Sequence, residues 1–136
     1  MPPLLESLHA LTAAYMTGII WFVQIIHDPT LAPPAHGSFT ERHHDYTRRM
    51  GWVVGPVMIL EMALQLFQVY TAPGPRSVLL LALLLIIWIS TFALQVPAHN
   101  QLSGGYDPAL VHRLVRTNWI RTLGWTARSL ILFQII

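Results

Sequence analysis

The sequence predicts an all-α integral membrane protein, a four-helix up-down bundle, and three observations carry that prediction. Hydrophobic residues make up 54% of the chain and charged residues only 10%, against about a quarter charged in soluble domains. Four apolar stretches each reach the roughly 20 residues that cross about 30 Å of hydrocarbon. The connections between them are too short for a second domain, so the 136 residues read as one unit with spans at about 4–26, 50–70, 78–96 and 113–134.

The first stretch runs from Leu4 to Ile26 and stops at His27-Asp28-Pro29, with Pro33-Pro34 following, because proline lacks the N–H that continues a helix. Its start, Met-Pro-Pro-Leu-Leu-Glu, has no positive n-region, so it reads as a membrane helix and not as a signal peptide. Ala10, Ala14 and Gly18 form a small-residue stripe suited to close approach of another helix. Ser38-Phe39-Thr40-Glu41 has the form of a capping box. The helix it starts is polar until Met50, then apolar to about Tyr70, with a kink expected at Gly55-Pro56. The turn Thr71-Ala72-Pro73-Gly74-Pro75 is short enough to place the third span, Val78 to Val96, beside the second. Pro97 closes or kinks that span. Gly104-Gly105 breaks the chain, and Asp107-Pro108 offers an N-cap followed by proline at the first helical position.

An even number of spans puts both termini on one side and the loops after spans one and three on the other. That loop side receives Arg42, Arg48, Arg49, Arg113 and Arg116, while the opposite turn has only Arg76. The positive-inside rule then makes the loops cytoplasmic and both termini external, in what is expected to be the inner (cytoplasmic) membrane. All eight basic residues are arginine and the formal charge is only +2, too dispersed for nucleic-acid binding. The expected partners are membrane lipid, an apolar small molecule and other membrane subunits. Every histidine but His9 falls at the loop-side ends of the spans, where polar residues are in any case allowed.

Ionisable groups within the spans are costly, about 2.5 to 3.5 kcal/mol each at the centre on insertion scales, and should face the interior with a partner. Glu61 lies roughly 16 Å into the second span, and Gln65 and Gln68 continue its face. Asn118, Arg121, Trp125 and Arg128 step by three, four and three residues, the spacing that keeps one helix face inward. Depth favours a Glu61–Arg128 pair, with Arg121 nearer the histidine-rich mouth. One carboxylate against two inward arginines leaves a surplus positive charge, which calls for another acceptor, an anionic or carbonyl ligand, or solvent.

The chain has no cysteine, which excludes disulfides, thiolate metal sites and cysteine nucleophiles. No Walker loop, Gly-x-Gly-x-x-Gly fingerprint or serine nucleophile motif occurs. Glu41-Arg42-His43-His44 holds one Glu-x-x-His, a spacing that di-iron bundles use twice. His44, His99 and His112 approach the same end and form the set that could hold one zinc, copper or iron ion; a bis-histidine haem is a related option with no pair marked. The residues themselves assign no metal and no cofactor. Cofactor-independent chemistry is the remaining route, with Glu61 or His99 as base and Arg121 with Asn118 stabilising an oxyanion. Tyr46, Trp52, Trp119 and Trp125 are candidates to line the mouth.

Val96-Pro97-Ala98-His99-Asn100-Gln101-Leu102, followed by Arg116-Thr117-Asn118-Trp119-Ile120-Arg121-Thr122, resembles the C-terminal half of small four-helix membrane proteins of the anthrone oxygenase-like class. The resemblance covers about 40 residues and rests on a Val-Pro with a polar residue after it, then Asn-x-x-Arg-Thr on the last helix. It implies oxidation of an apolar polycyclic phenol without a bound nucleotide, with Asn118 and Arg121 as site residues. The sequence differs from that class at His99, where asparagine is usual, and in its histidine-rich segment from His36 to His44.

Two functions stand foremost, with a small transporter or a pigment and haem carrier as a third. One is a small membrane oxidoreductase, an oxygenase, or an isomerase, acting on a quinone-like, polycyclic or terpenoid molecule, with Glu61, His99 and Arg121 as catalytic residues and His44, Asn118 and Arg128 as binding residues. The other is a non-catalytic accessory subunit of a larger membrane complex.

Overall fold

A computed structural model describes residues 1–136 and is entirely helical, with no strand. Four long helices follow one another: α1 (Pro3–Thr30), α2 (Phe39–Thr71), α3 (Pro75–Ser103) and α4 (Pro108–Leu132). Length and hydropathy suit the first three to crossing a membrane. The fourth, though 25 residues long, falls outside that group because Arg113, Arg116, Arg121 and Arg128 dilute its apolar composition. At 1.5 Å per residue the 33 residues of α2 extend about 50 Å, well beyond a hydrocarbon core.

Local chemistry explains the helix starts. Ser38 Oγ accepts a hydrogen bond from the Glu41 amide at 3.4 Å, and Asp107 Oδ1 accepts one from the Ala109 amide at 2.9 Å. Each satisfies one of the amides that a helix leaves unpaired at its start. Proline occupies an early helical position in α1, α3 and α4, where its missing N–H costs nothing.

Both α1 and α3 run further than the apolar stretches suggest. In α1 the α-helical part ends at Phe22, a π-helical turn spans Val23–His27, and a 3-10 turn spans Asp28–Thr30. In α3 a π-helical turn spans Thr91–Gln95, and α-helix resumes from Val96 to Ser103. Each π turn ends two residues before a proline, Pro29 or Pro97. Proline clashes with the carbonyl four residues back, and a widened turn lets the chain pass that clash without stopping. Pro97 thus bends the hydrogen-bonding pattern and does not terminate the helix. Pro56 likewise sits inside an uninterrupted α2.

α1 packs on α2 and α4, and α3 packs on α2 and α4. The largest buried cluster joins Met16, Ile20 and Val23 of α1 to Met58, Ile87 and Trp125. A second, of Ala98, Leu102, Val111 and Leu114, closes the loop-side end of α3 and α4. Small polar residues tie α1 to α4: Thr17 Oγ1 lies 2.7 Å from Ser129 Oγ and 3.0 Å from the Trp125 carbonyl. Of the stripe Ala10, Ala14 and Gly18, Ala10 is buried but Gly18 is exposed, and a Cβ added there would meet nothing within 4 Å, so Gly18 serves no close approach of helices. A close approach occurs at Gly124, where a Cβ would meet Ile87 Cγ1 at 2.8 Å. Large apolar side chains such as Leu11, Ile59, Leu79, Ile89 and Leu123 cover the outside.

Candidate functional site

Two polar centres lie inside the bundle, and they differ in character. The deeper is a closed hydrogen-bonded knot around Arg128. Its Nε donates to Glu61 Oε1 at 3.0 Å, its Nη1 to Gln65 Oε1 at 2.9 Å and to the Leu80 carbonyl, and its Nη2 lies 3.0 Å from His9 Nε2. Trp125 Nε1 donates to the other oxygen of Glu61 at 3.0 Å. Gln65 Nε2 in turn donates to the Ser77 carbonyl at 3.1 Å. Glu61, Gln65, His9, Trp125 and Arg128 are all 0% exposed. The expected Glu61–Arg128 pair is therefore present, but both carboxylate oxygens are engaged and no cavity reaches them. Such geometry holds helices together.

The second centre lies toward the loop side and is open. A chamber of about 290 Å³ is walled by Met16, Ile19, Ile20, Val23, Met50 and Val54, with Tyr46, Gln95, His99 and Arg121 supplying its polar end. Both π turns contribute to its wall, through Val23, Thr91 and Gln95; π turns recur at functional sites because the widened backbone repositions side chains. Arg121 has no salt bridge and no hydrogen bond, its Nε is buried without a partner, and its guanidinium carbon lies 5.5 Å from the Trp125 ring centroid. His99 makes a single side-chain hydrogen bond, between its Nδ1 and His43 Nε2 at 3.0 Å.

His43 belongs to a second cavity, also about 290 Å³, lined by His27, Thr30, Leu31, Phe39, Arg42 and Tyr46 among others. Tyr46 lines both cavities and stacks on His27 with ring centroids 3.8 Å apart. His27 Nδ1 lies 3.0 Å from Asp28 Oδ1, and Asp28, 0% exposed, leaves Oδ2 without a partner. No family model matches this chain, and neither a curated protein nor a solved structure does.

Of the residues expected to form the site, His99 and Arg121 share the open chamber, whereas Glu61 and Arg128 share the closed knot. Asn118 is buried and linked to Gln24, its Nδ2 donating to Gln24 Oε1 at 3.0 Å while its own Oδ1 lacks a partner. It does not line the chamber but braces the helix that carries Arg121. His44 is exposed, and the neighbouring His43 takes the inward position, since consecutive helix residues point about 100° apart. His112 is exposed too, so His44, His99 and His112 do not converge, and no group of three or more histidine, aspartate or glutamate side chains has metal-holding geometry. Of the aromatic residues expected at the mouth only Tyr46 is there; Trp52 is 78% exposed, Trp125 belongs to the core, and Trp119 packs edge-on against Trp21.

Sequence reasoning missed Gln24, Asp28, Gln95 and the inward role of His43. Gln24 and Asp28 continue the buried Met16–Ile20 face of α1 at four-residue steps, a signal masked by reading Asp28-Pro29 as a helix stop. Asp28 is the second buried acid that the charge count appeared to lack, although it makes no ion pair with Arg121 within 4 Å.

Proposed function

We propose that the chain is an integral membrane enzyme, a four-span up-down bundle that abstracts a proton from a carbon conjugated with the carbonyl of an apolar, quinone-like or polycyclic substrate. The observation that carries this reading is Arg121, a cation that lines a largely apolar chamber and has neither a salt bridge nor a hydrogen bond within the protein. Such a donor is expensive to leave unmade and is satisfied by a ligand oxygen. The chamber volume of about 290 Å³ is at the small end of the range for small-molecule sites.

In this mechanism His99 Nε2 takes the proton from a carbon conjugated with the carbonyl, either adjacent to it or, as in anthrone, across the ring from it. The C–H electron pair moves through the conjugated system onto the carbonyl oxygen, and Arg121 stabilises the resulting enolate from the polar end of the chamber. Return of the proton to another carbon completes an isomerisation. Reaction of the enolate carbon with dioxygen, followed by loss of water, converts a CH₂ to a carbonyl and completes an oxygenation. The resemblance of the last two helices to the anthrone oxygenase-like class supports anthrone as probe. Chain reconstituted in lipid nanodiscs under nitrogen in D₂O should exchange the anthrone CH₂ at least tenfold faster than empty nanodiscs. An equal rate would leave the non-catalytic subunit reading in its place.

The orientation follows from the arginine bias, with the loop side cytoplasmic in the inner membrane. Because the chain lacks cysteine, single cysteines report it cleanly. A membrane-impermeant maleimide applied to intact cells should label Ala72→Cys and Ile136→Cys, and label Ala35→Cys only after lysis. Protection of Ile136→Cys alongside Ala35→Cys would mean that α4 does not cross.

A further inference from the structure

We infer that His43 and the loop-side cavity form a proton relay, through which His99 exchanges its proton with cytoplasmic-side water. The inference rests on the proposed use of His99 as base only for its purpose; the relay itself rests on geometry. The two imidazoles meet at 3.0 Å through His99 Nδ1 and His43 Nε2. They line different cavities, His99 the apolar chamber and His43 the polar one. The wall between the cavities is thus crossed by a hydrogen-bonded pair of rings, each with a second nitrogen at its far end.

Neither far nitrogen makes a hydrogen bond within the protein. His43 is 3% exposed, yet its Nδ1 has no hydrogen-bond partner, and the Asp28 oxygen Oδ2 is buried and unpartnered as well. His43 is held in place by stacking on Phe39, at 5.4 Å between centroids, and on His99 at 5.1 Å. The ionisable groups around the pair are Asp28 and His27 of α1, Arg42 and Tyr46 of α2 and Arg121 of α4. Asp28 is the one acid among them and favours a transient positive charge on the pair, while Arg121 keeps that charge from settling at the substrate end.

The transfer balances as follows. His99 starts with its proton on Nδ1, donated to His43 Nε2, and with Nε2 bare. A proton arriving at His99 Nε2 makes the ring cationic. The Nδ1 proton passes to His43 Nε2, and His43, whose Nδ1 is closed off at rest, turns toward the loop-side cavity it lines and releases its own Nδ1 proton to water there. One proton has crossed, and both rings have switched tautomer; the reverse passage resets them. His43 therefore acts through His99 and does not touch substrate.

The test reads proton exchange directly. In ¹⁵N-histidine-labelled chain in nanodiscs at fixed pH, the ring N–H of His99 is followed by NMR in the parent, in His43→Phe and in His43→Gln. Phenylalanine keeps the stack with Phe39, and glutamine keeps polarity, so at least one variant folds if the position tolerates either shape or polarity. The relay predicts that His99 exchange with water slows at least tenfold in each folded variant. A merely structural partner predicts the opposite sign, since losing a hydrogen bond exposes the N–H and speeds its exchange. Unchanged or faster exchange overturns the relay. The anthrone measurement separates the two ideas: slowed His99 exchange without parent turnover keeps the relay and removes the proposed reaction. Parent turnover with unslowed His99 exchange does the reverse.

Discussion

Replacing Arg128 with alanine is expected to cost about 3–5 kcal/mol of stability, the usual result of stranding one member of a buried ion pair. Glu61 would be left 0% exposed with only the Trp125 N–H as a donor, and Gln65, the Leu80 carbonyl and His9 would each lose a partner. The detergent-purified variant should show a large fall in melting temperature or fail to accumulate. Glu61→Gln should also lose stability, because glutamine cannot accept from Arg128 and Trp125 as a charged carboxylate does. The double change Glu61→Leu with Arg128→Met should recover much of the loss, since apolar replacements of a buried pair are often neutral or stabilising. An Arg128→Ala chain as stable as its parent would mean that the knot holds nothing together.

Arg121→Met is expected to act in the opposite direction on stability and strongly on chemistry. The guanidinium has no hydrogen bond or ion pair to lose, so removing its desolvation cost should leave the melting temperature unchanged or higher. Loss of one oxyanion donor typically costs about 10²–10³ in turnover, enough to bring anthrone exchange down to or near the rate of empty nanodiscs. Arg121→Lys should restore only part of it, because a point charge on a flexible stem does not reproduce a planar donor. A variant that lost stability while keeping turnover would show that Arg121 is a structural residue and would remove the basis of the proposed mechanism.

The contrast between these arginines was only half legible in the sequence. Helical periodicity placed Asn118, Arg121, Trp125 and Arg128 on one inward face, and depth arithmetic paired Glu61 with Arg128; both rest on regular α-helix, which α4 and the apolar part of α2 are. The helix count and the turns were equally readable from apolar runs and proline positions. Periodicity carries no information on which of two inward arginines finds acceptors, since those come from His9 and Leu80 on other helices. Nor does it separate His43 from His44, neighbours on a polar extension with no apolar stripe to phase it. The π turns were hidden for a different reason. A proline marks a disturbance in the ladder, but whether the chain stops or widens depends on neighbours that support the wider turn.

One consequence of the knot concerns how the protein comes to be assembled. Arg128 bonds to groups on α1, α2 and α3 at once, and α4 alone among the helices is too polar to enter lipid on its own composition. On the four-span membrane reading proposed above, the first three would be taken up by the bilayer one after another as they are synthesised. The last would have a favourable place only where its acceptors are already gathered, so its entry and the closing of the bundle would be a single event. On that reading a mispacked trio would offer Arg128 no seat, and the final helix would stay outside.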